Sequence, residues 1–260
     1  MRLKLITAPD IEPVTLDEAK NHLKIDSSED NSLISALIVT ARQLAEKETN
    51  RAFITQTWEM YLDEVGNEIE IPKPPLQSIV SIKTISTVES YVDDTSAADQ
   101  PILLVASTTG FWAGSTIWIN RDGEREEEMA VLSVQEGVSL TLTANLTNAH
   151  TEIQGDRVEK YSLVSKEKYL VDISQNSPGR VKLRSGYTWP THRGFASFLI
   201  EFNVGFGDTA TDIPGILKQG MQQLVAYLYE NRGAEKVTTF YPPIPESIKA
   251  MFWPYKILRI

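Results

Sequence analysis

The residue types that could do chemistry are few and lie far apart in this chain. Its three histidines, His22, His150 and His192, sit in unlike local settings. They form neither an HExxH pair nor a nucleophile-base pattern, so each is expected to be structural or solvated, as histidine most often is. There is no cysteine, which removes disulfides, thiolate metal ligands and a thiol nucleophile. Neither a GxxxxGK phosphate loop nor a GxGxxG turn occurs. The run Glu124 to Glu128, EREEE, concentrates carboxylates, but it lacks the turn glycine and ligand spacing of a calcium loop and is expected to be a solvated charged turn. Asn145-Leu146-Thr147 fits the glycosylation acceptor pattern, which a chain made and kept in the cytosol does not meet. The sequence therefore points away from an enzyme and implies no cofactor, metal or catalytic residue.

A different kind of candidate stands at the C-terminal end. Residues 240–260, FYPPIPESIKAMFWPYKILRI, place Phe240, Tyr241, Phe252, Trp253, Tyr255, Ile257, Leu258 and Ile260 on a proline-rich segment with little capacity to bury them by itself. One reading folds this segment back over its own domain. The other makes it a docking peptide, with aromatic anchors for pockets and YKILRI able to add as a strand to a neighbour's sheet edge.

The elements that would carry such a tail begin with a long helix over Asp30 to Arg51. Leu33, Ile34, Leu37, Ile38, Ala41, Leu44 and Ala45 recur at three- and four-residue steps and form one apolar stripe. Asp30 is the expected N-cap, and Arg51 complements the dipole at the other end. A shorter helix precedes it over Pro13 to Ile25, with Thr15 as N-cap and Glu18 three residues on, as in a capping box. A third helix over Pro214 to Arg232 presents Ile216, Leu217, Met221, Leu224, Val225, Leu228 and Tyr229 and supplies the partner surface for the long one, with Gly233 as its stop. Strand-like alternation covers 55–62 and 68–71, read as a pair about a Gly66-Asn67 turn, then 79–85, 169–173, 180–183 and 195–204.

Charge divides the chain more sharply than hydropathy does. Between Val88 and Ser162 there are 13 acidic and four basic residues, so this stretch holds −9 of the formal charge of −10. It also contains five short alternating segments, 102–105, 116–120, 129–134, 139–143 and 157–161, separated by glycine turns. The composition shift predicts an inserted module, and short strands at this spacing predict a small closed barrel with Phe111, Trp112 and Trp118 as its large apolar groups. The net acidity argues against broad binding to nucleic acid. No run approaches the roughly 20 apolar residues of a membrane span, and MRLKLITAPD breaks at Pro9 and Asp10 before a signal-peptide core could form.

The order of these parts resembles a known family. PVTLDEAKNHLKID, a second helix ending ETNRAFITQTWEMYLD, then IPKPPLQSIVSI, YLVDISQNSPGRVKL with a following WP, IEFNVGFGDTATDIPGILKQGMQQLVAYLYENRG and IPESIKAMFWPYKI together resemble the head-tail connector (adaptor, or head-completion) proteins of long-tailed bacteriophages and prophages. The resemblance covers nearly everything outside the acidic stretch. It implies an α+β fold, a helical bundle with a short β-sheet region, here carrying an inserted small all-β barrel module. The expected division is a discontinuous connector domain over 1–87 and 163–236, the acidic module over 88–162 and a C-terminal docking tail over 237–260. The implied function is a structural virion protein that forms a ring, dodecameric in the virion, between portal and tail, extends the DNA channel and completes the head. Its implied partners are the portal protein, a tail-completion or stopper protein and further copies of itself. DNA would pass without specific binding, with no membrane involved, and assembly would take place in the host bacterial cytoplasm. Phe240 to Ile260 would be the portal-docking segment. The competing reading is a phage receptor- or glycan-binding module that uses the inserted barrel, with Trp112 and Trp118 as an exposed aromatic platform.

Overall fold

Local signals set the helices. The computed structural model describes residues 1–121, 123–232 and 244–258, and in it α1 (Leu16–Leu23) starts at the capping box. The Thr15 hydroxyl accepts the Glu18 N–H at 3.2 Å and the Glu18 carboxylate accepts the Thr15 N–H at 2.8 Å, so two otherwise orphaned donors are satisfied. That backbone bond is the main reason the Glu18 carboxyl lies below its ordinary range. The long helix α2 (Asn31–Thr49) buries Ile34, Ile38, Ala41 and Ala45 along the expected stripe and ends at Asn50 in the left-handed region. Asp30, however, makes no side-chain cap bond. Its carboxylate instead accepts the Tyr229 hydroxyl and lies 3.8 Å from Arg232, tying the start of α2 to the end of a third helix.

Among the described residues eleven of the twelve strands lie between the second and third helices. In order come β1 (Arg2–Thr7), then β2 (Gln56–Leu62), β3 (Glu68–Ile71), β4 (Leu76–Tyr91), β5 (Ile102–Leu104), β6 (Thr116–Ile119), β7 (Glu127–Gln135), β8 (Ser139–Leu142), β9 (Arg157–Leu163), β10 (Tyr169–Asp172), β11 (Gly179–Leu183) and β12 (Phe198–Val204). The helices α3 (Gly215–Glu230) and α4 (Glu246–Phe252) follow. Nine strands form one antiparallel sheet in the order β1-β2-β12-β4-β9-β6-β7-β8-β5, and β10-β11-β3 form a second.

This corrects the expected architecture. The protein is not a helical bundle with a short sheet region: strand content exceeds helix content, 33% against 24%, and a nine-stranded sheet is the dominant element. The physical reason is the length of β4. Its first half, Leu76 to Thr84, pairs with β12, and its second half, Lys83 to Tyr91, pairs with β9, so one continuous strand carries hydrogen bonding from the flanking sequence into the acidic stretch. Beyond β4 the sheet curls back, because Val92 bridges Val105, and Asp93 and Ala106 donate to the carbonyls of Leu104 and Tyr91 at 3.1 and 3.0 Å. The expected pairing about Gly66-Asn67 is also corrected, since β2 pairs with β1 and β12 whereas β3 pairs with β11.

Burial falls into separate clusters. The four helices share one core with Val14, Phe53 and Ile213. A second core lies between the two sheets around Ile71, Ile82, Val181 and Phe202. A third fills the curled part of the large sheet, where Phe111 packs with Leu103, Ile117, Val131 and Leu140. Trp118 is buried elsewhere, stacked on Tyr161 at 4.2 Å between ring centroids, in a small cluster with Tyr61, Ile85 and Leu199 that joins the acidic stretch to the rest of the sheet. Trp112 is 58% exposed.

Candidate docking surface

The C-terminal segment is built onto the helical core from two sides. Ile248 and Phe252 of α4 are buried there, and the ring of Phe252 sits where a Cβ on Gly220 of α3 would come within 2.6 Å of it. A glycine in the middle of α3 therefore makes the seat for this aromatic. After α4, Trp253, Pro254 and Tyr255 form one 3-10 turn and the chain leaves extended. Its backbone is then clamped to the end of α2. Ile257 donates its N–H to the Thr49 carbonyl at 2.9 Å, and the Asn50 amide donates to the Ile257 carbonyl at 2.8 Å. Arg51 donates to the carbonyls of Tyr255 and Gln175, while Lys256 pairs with Glu48 at 2.7 Å. Arg51 is thus a buried clamp rather than a dipole-complementing surface cation, and burial draws its guanidinium down from the ordinary arginine value.

This geometry divides the candidate docking residues. Phe252 belongs to the protein's own core, and Tyr255 packs against it from the edge. Ile257 is half-buried. Trp253 and Leu258 face outward at 63% and 65% exposure, with the Lys256 ammonium 5.7 Å from the indole centroid. Phe240, Tyr241 and Ile260, like the Gly233 stop, lie outside the described residues. What the segment presents is therefore a backbone fixed to α2 and Arg51 by three hydrogen bonds and two large apolar side chains directed to solvent.

Elsewhere the polar chemistry is structural. His150 is fully buried, with Nδ1 3.0 Å from Asp156 and Nε2 3.2 Å from Glu127. Glu127 also accepts the backbone N–H groups of Thr147 and Asn148 at 2.9 and 2.6 Å, so the loop after β8 is stapled to β7. Burial works to raise the Glu127 carboxyl, but these bonds outweigh it and hold it below its usual range. A cleft of about 380 Å³ between the end of β1 and α2 is lined by Arg42, Glu46, Trp58 and Lys73. There the carboxylate of Glu46 already accepts Arg42 at 3.0 Å, Gln56 at 2.6 Å and the Phe53 N–H at 2.9 Å; burial raises its carboxyl despite the nearby Arg42 charge. Among the described residues no group of three acidic or histidine side chains is placed to hold a metal ion, and no helix is long and apolar enough to cross a membrane. An aromatic platform of Trp112 and Trp118 is not formed, because Trp118 is interior.

Residues 13–98, about a third of the chain, match the family model described as "Phage gp6-like head-tail connector protein", which bears out over that stretch the resemblance noted in the sequence. No curated protein matches the chain by sequence. Three solved structures share its fold. One described as "Neck of empty GTA particle computed with C6 symmetry" has a TM-score of 0.60 at 14% identity. "Virion of native gene transfer agent (GTA) particle" has 0.58 at 14%, and "Neck of native GTA particle computed with C12 symmetry" has 0.55 at 16%. Each alignment covers 100% of this chain and 97% of the other. The family match is confined to residues 13–98, and the solved structures share the fold of the whole chain.

Proposed function

We propose that the protein is a head-tail connector that assembles as a homo-oligomeric ring, a dodecamer in the virion, between a portal protein and a tail-completion or stopper protein. The observation that carries this reading is the C-terminal segment: its backbone is locked to the end of α2 while Trp253 and Leu258 remain outside. A pre-ordered segment loses little conformational entropy on docking, and exposed aromatic anchors of this kind dominate interface energetics. The symmetry stated for the structurally similar neck particles, C6 and C12, supports a ring.

On this reading residues 1–87 and 163–236 form the ring body, residues 88–162 form a module that projects from it, and Trp253 and Leu258 meet the portal. DNA passes through the ring without specific contacts, since a protein of formal charge −10 repels phosphate within about a Debye length. The test is co-sedimentation with purified cognate portal rings. The native chain is expected to co-sediment, and the double variant Trp253→Ala, Leu258→Ala to remain in the supernatant with an unchanged melting curve. Co-sedimentation of the double variant at native levels would place the docking surface elsewhere.

A further inference from the structure

An acidic protein here gathers its arginines at one place. A cavity of about 230 Å³ at the seam between the large sheet and its acidic extension is lined by Arg2, Arg121, Arg157, Arg193, Glu159 and Phe195, among others. Four of the chain's eleven arginines line it, although the formal charge is −10. They come from β1, the second residue after β6, the start of β9 and the loop before β12, so the fold assembles them from four distant stretches.

Among the described residues Glu159 is the one carboxylate in that lining, and it is buried. It stands 3.5 Å from Arg157 and 3.7 Å from Arg121, and it accepts a bond from Arg193. A carboxylate offers about four lone-pair positions, whereas each guanidinium carries five N–H donors. Glu159 therefore acts as a strut that orients the guanidinium planes of Arg157 and Arg193, and Arg193 also donates its Nε–H to the Phe195 carbonyl at 2.8 Å. Arg157, at the mouth, is 48% exposed and also lies 4.0 Å from Glu89. Phe195, on the rim, is 75% exposed. Oriented arginines beside an open aromatic ring match the composition of binding hot spots, and the planar guanidinium fork fits a carboxylate through two parallel bonds.

We propose that this cavity binds an acidic segment of another polypeptide, one carboxylate entering between Arg157 and Arg193 while a neighbouring apolar side chain rests on Phe195. A duplex is disfavoured as the occupant, because its line of phosphates would have to approach a whole face of a net-acidic protein, whereas one carboxylate meets only the cavity. The inference goes beyond the ring reading and is tested on the isolated protein, so failure of either leaves the other standing.

The probe is a short fluorescein-labelled poly-L-glutamate, followed by anisotropy at low salt, with a labelled single-stranded oligodeoxynucleotide of equal charge as the second arm. Net repulsion between two anions makes the cavity the expected source of any saturable signal. The native protein is expected to bind poly-L-glutamate saturably, and Arg157→Gln to bind it about tenfold or more weakly with an unchanged melting temperature. If Arg157→Gln fails to fold, Phe195→Ala carries the test, and it is expected to weaken a peptide alternating Glu and Leu more than poly-L-glutamate. Absence of saturable binding, equal binding by both variants and the native protein, or tighter binding of the oligodeoxynucleotide would each overturn the proposal.

Discussion

Truncating Phe252 to alanine separates the two roles of the C-terminal segment. The ring is fully buried among α2, α3 and α4 and meets the face of Gly220. A buried aromatic removes roughly 150–250 Å² from water, which at about 25 cal/mol per Å² amounts to about 4–6 kcal/mol as an upper estimate. Measured Phe→Ala losses in cores, about 3–5 kcal/mol, agree. Against a total stability of roughly 5–15 kcal/mol, Phe252→Ala is expected to lose a large fraction of the fold's margin. Trp253, one residue on, is 63% exposed; its truncation should change stability by no more than about 0.5 kcal/mol and weaken joining to the portal by about 2 kcal/mol or more. Urea unfolding followed by circular dichroism, run on both variants, gives the comparison. By the same reasoning, truncation after Lys236 removes Ile248 and Phe252 from the core and should unfold the helical part instead of leaving a docking-deficient but stable domain. A Phe252→Ala protein with the native urea midpoint, or a Trp253→Ala protein equally destabilised, would refute this division of the segment.

Three further outcomes are expected. Gly220→Ala gains helix propensity of about 1 kcal/mol but places its Cβ 2.6 Å from the Phe252 ring, so it should destabilise by about 1–3 kcal/mol, and the loss should shrink in the Phe252→Ala background; thermal melts of the four-member cycle check this. Glu127 titrates below its ordinary value of 4.5 in the folded protein, so its contribution is fully present above pH 4.5 and is lost as pH falls through the folded value; urea midpoints measured downward from pH 5 should drop, and Glu127→Gln should flatten that drop. Duplex DNA at physiological salt should give no anisotropy change at micromolar protein, and sub-micromolar affinity would reverse the electrostatic argument.

The helices were legible because their signals are local. Thr15 and Glu18 form the capping box that their spacing predicts, and the buried residues of α2 follow the stripe. Asp30 failed as a cap because a distant residue, Tyr229, takes its carboxylate, and no local pattern encodes that. Individual strands were also legible, including all five in the acidic stretch, whereas their partners were not. Gly66-Asn67 does not close a hairpin: β2 and β3 enter different sheets, since pairing is decided by long-range burial. The strand β1 went unread although Arg2-Leu3-Lys4-Leu5 alternates charged and apolar residues; it is a sheet edge exposed on both faces. Charge composition marked the acidic stretch, but β4 runs through its border without a break. Of the docking candidates, the sequence could not assign Phe252 inward and Trp253 outward; the interior glycine of α3 was the available clue. The arginine cavity had no linear signal, as Arg2, Arg121, Arg157 and Arg193 meet only in the folded chain.

Electron microscopy of the purified protein mixed with its cognate portal tests the connector account most directly. The expected result is a second ring, stacked coaxially on the portal and absent when Trp253→Ala, Leu258→Ala protein is used. Portal rings that remain bare beside free native protein, at concentrations where both are folded, would contradict it.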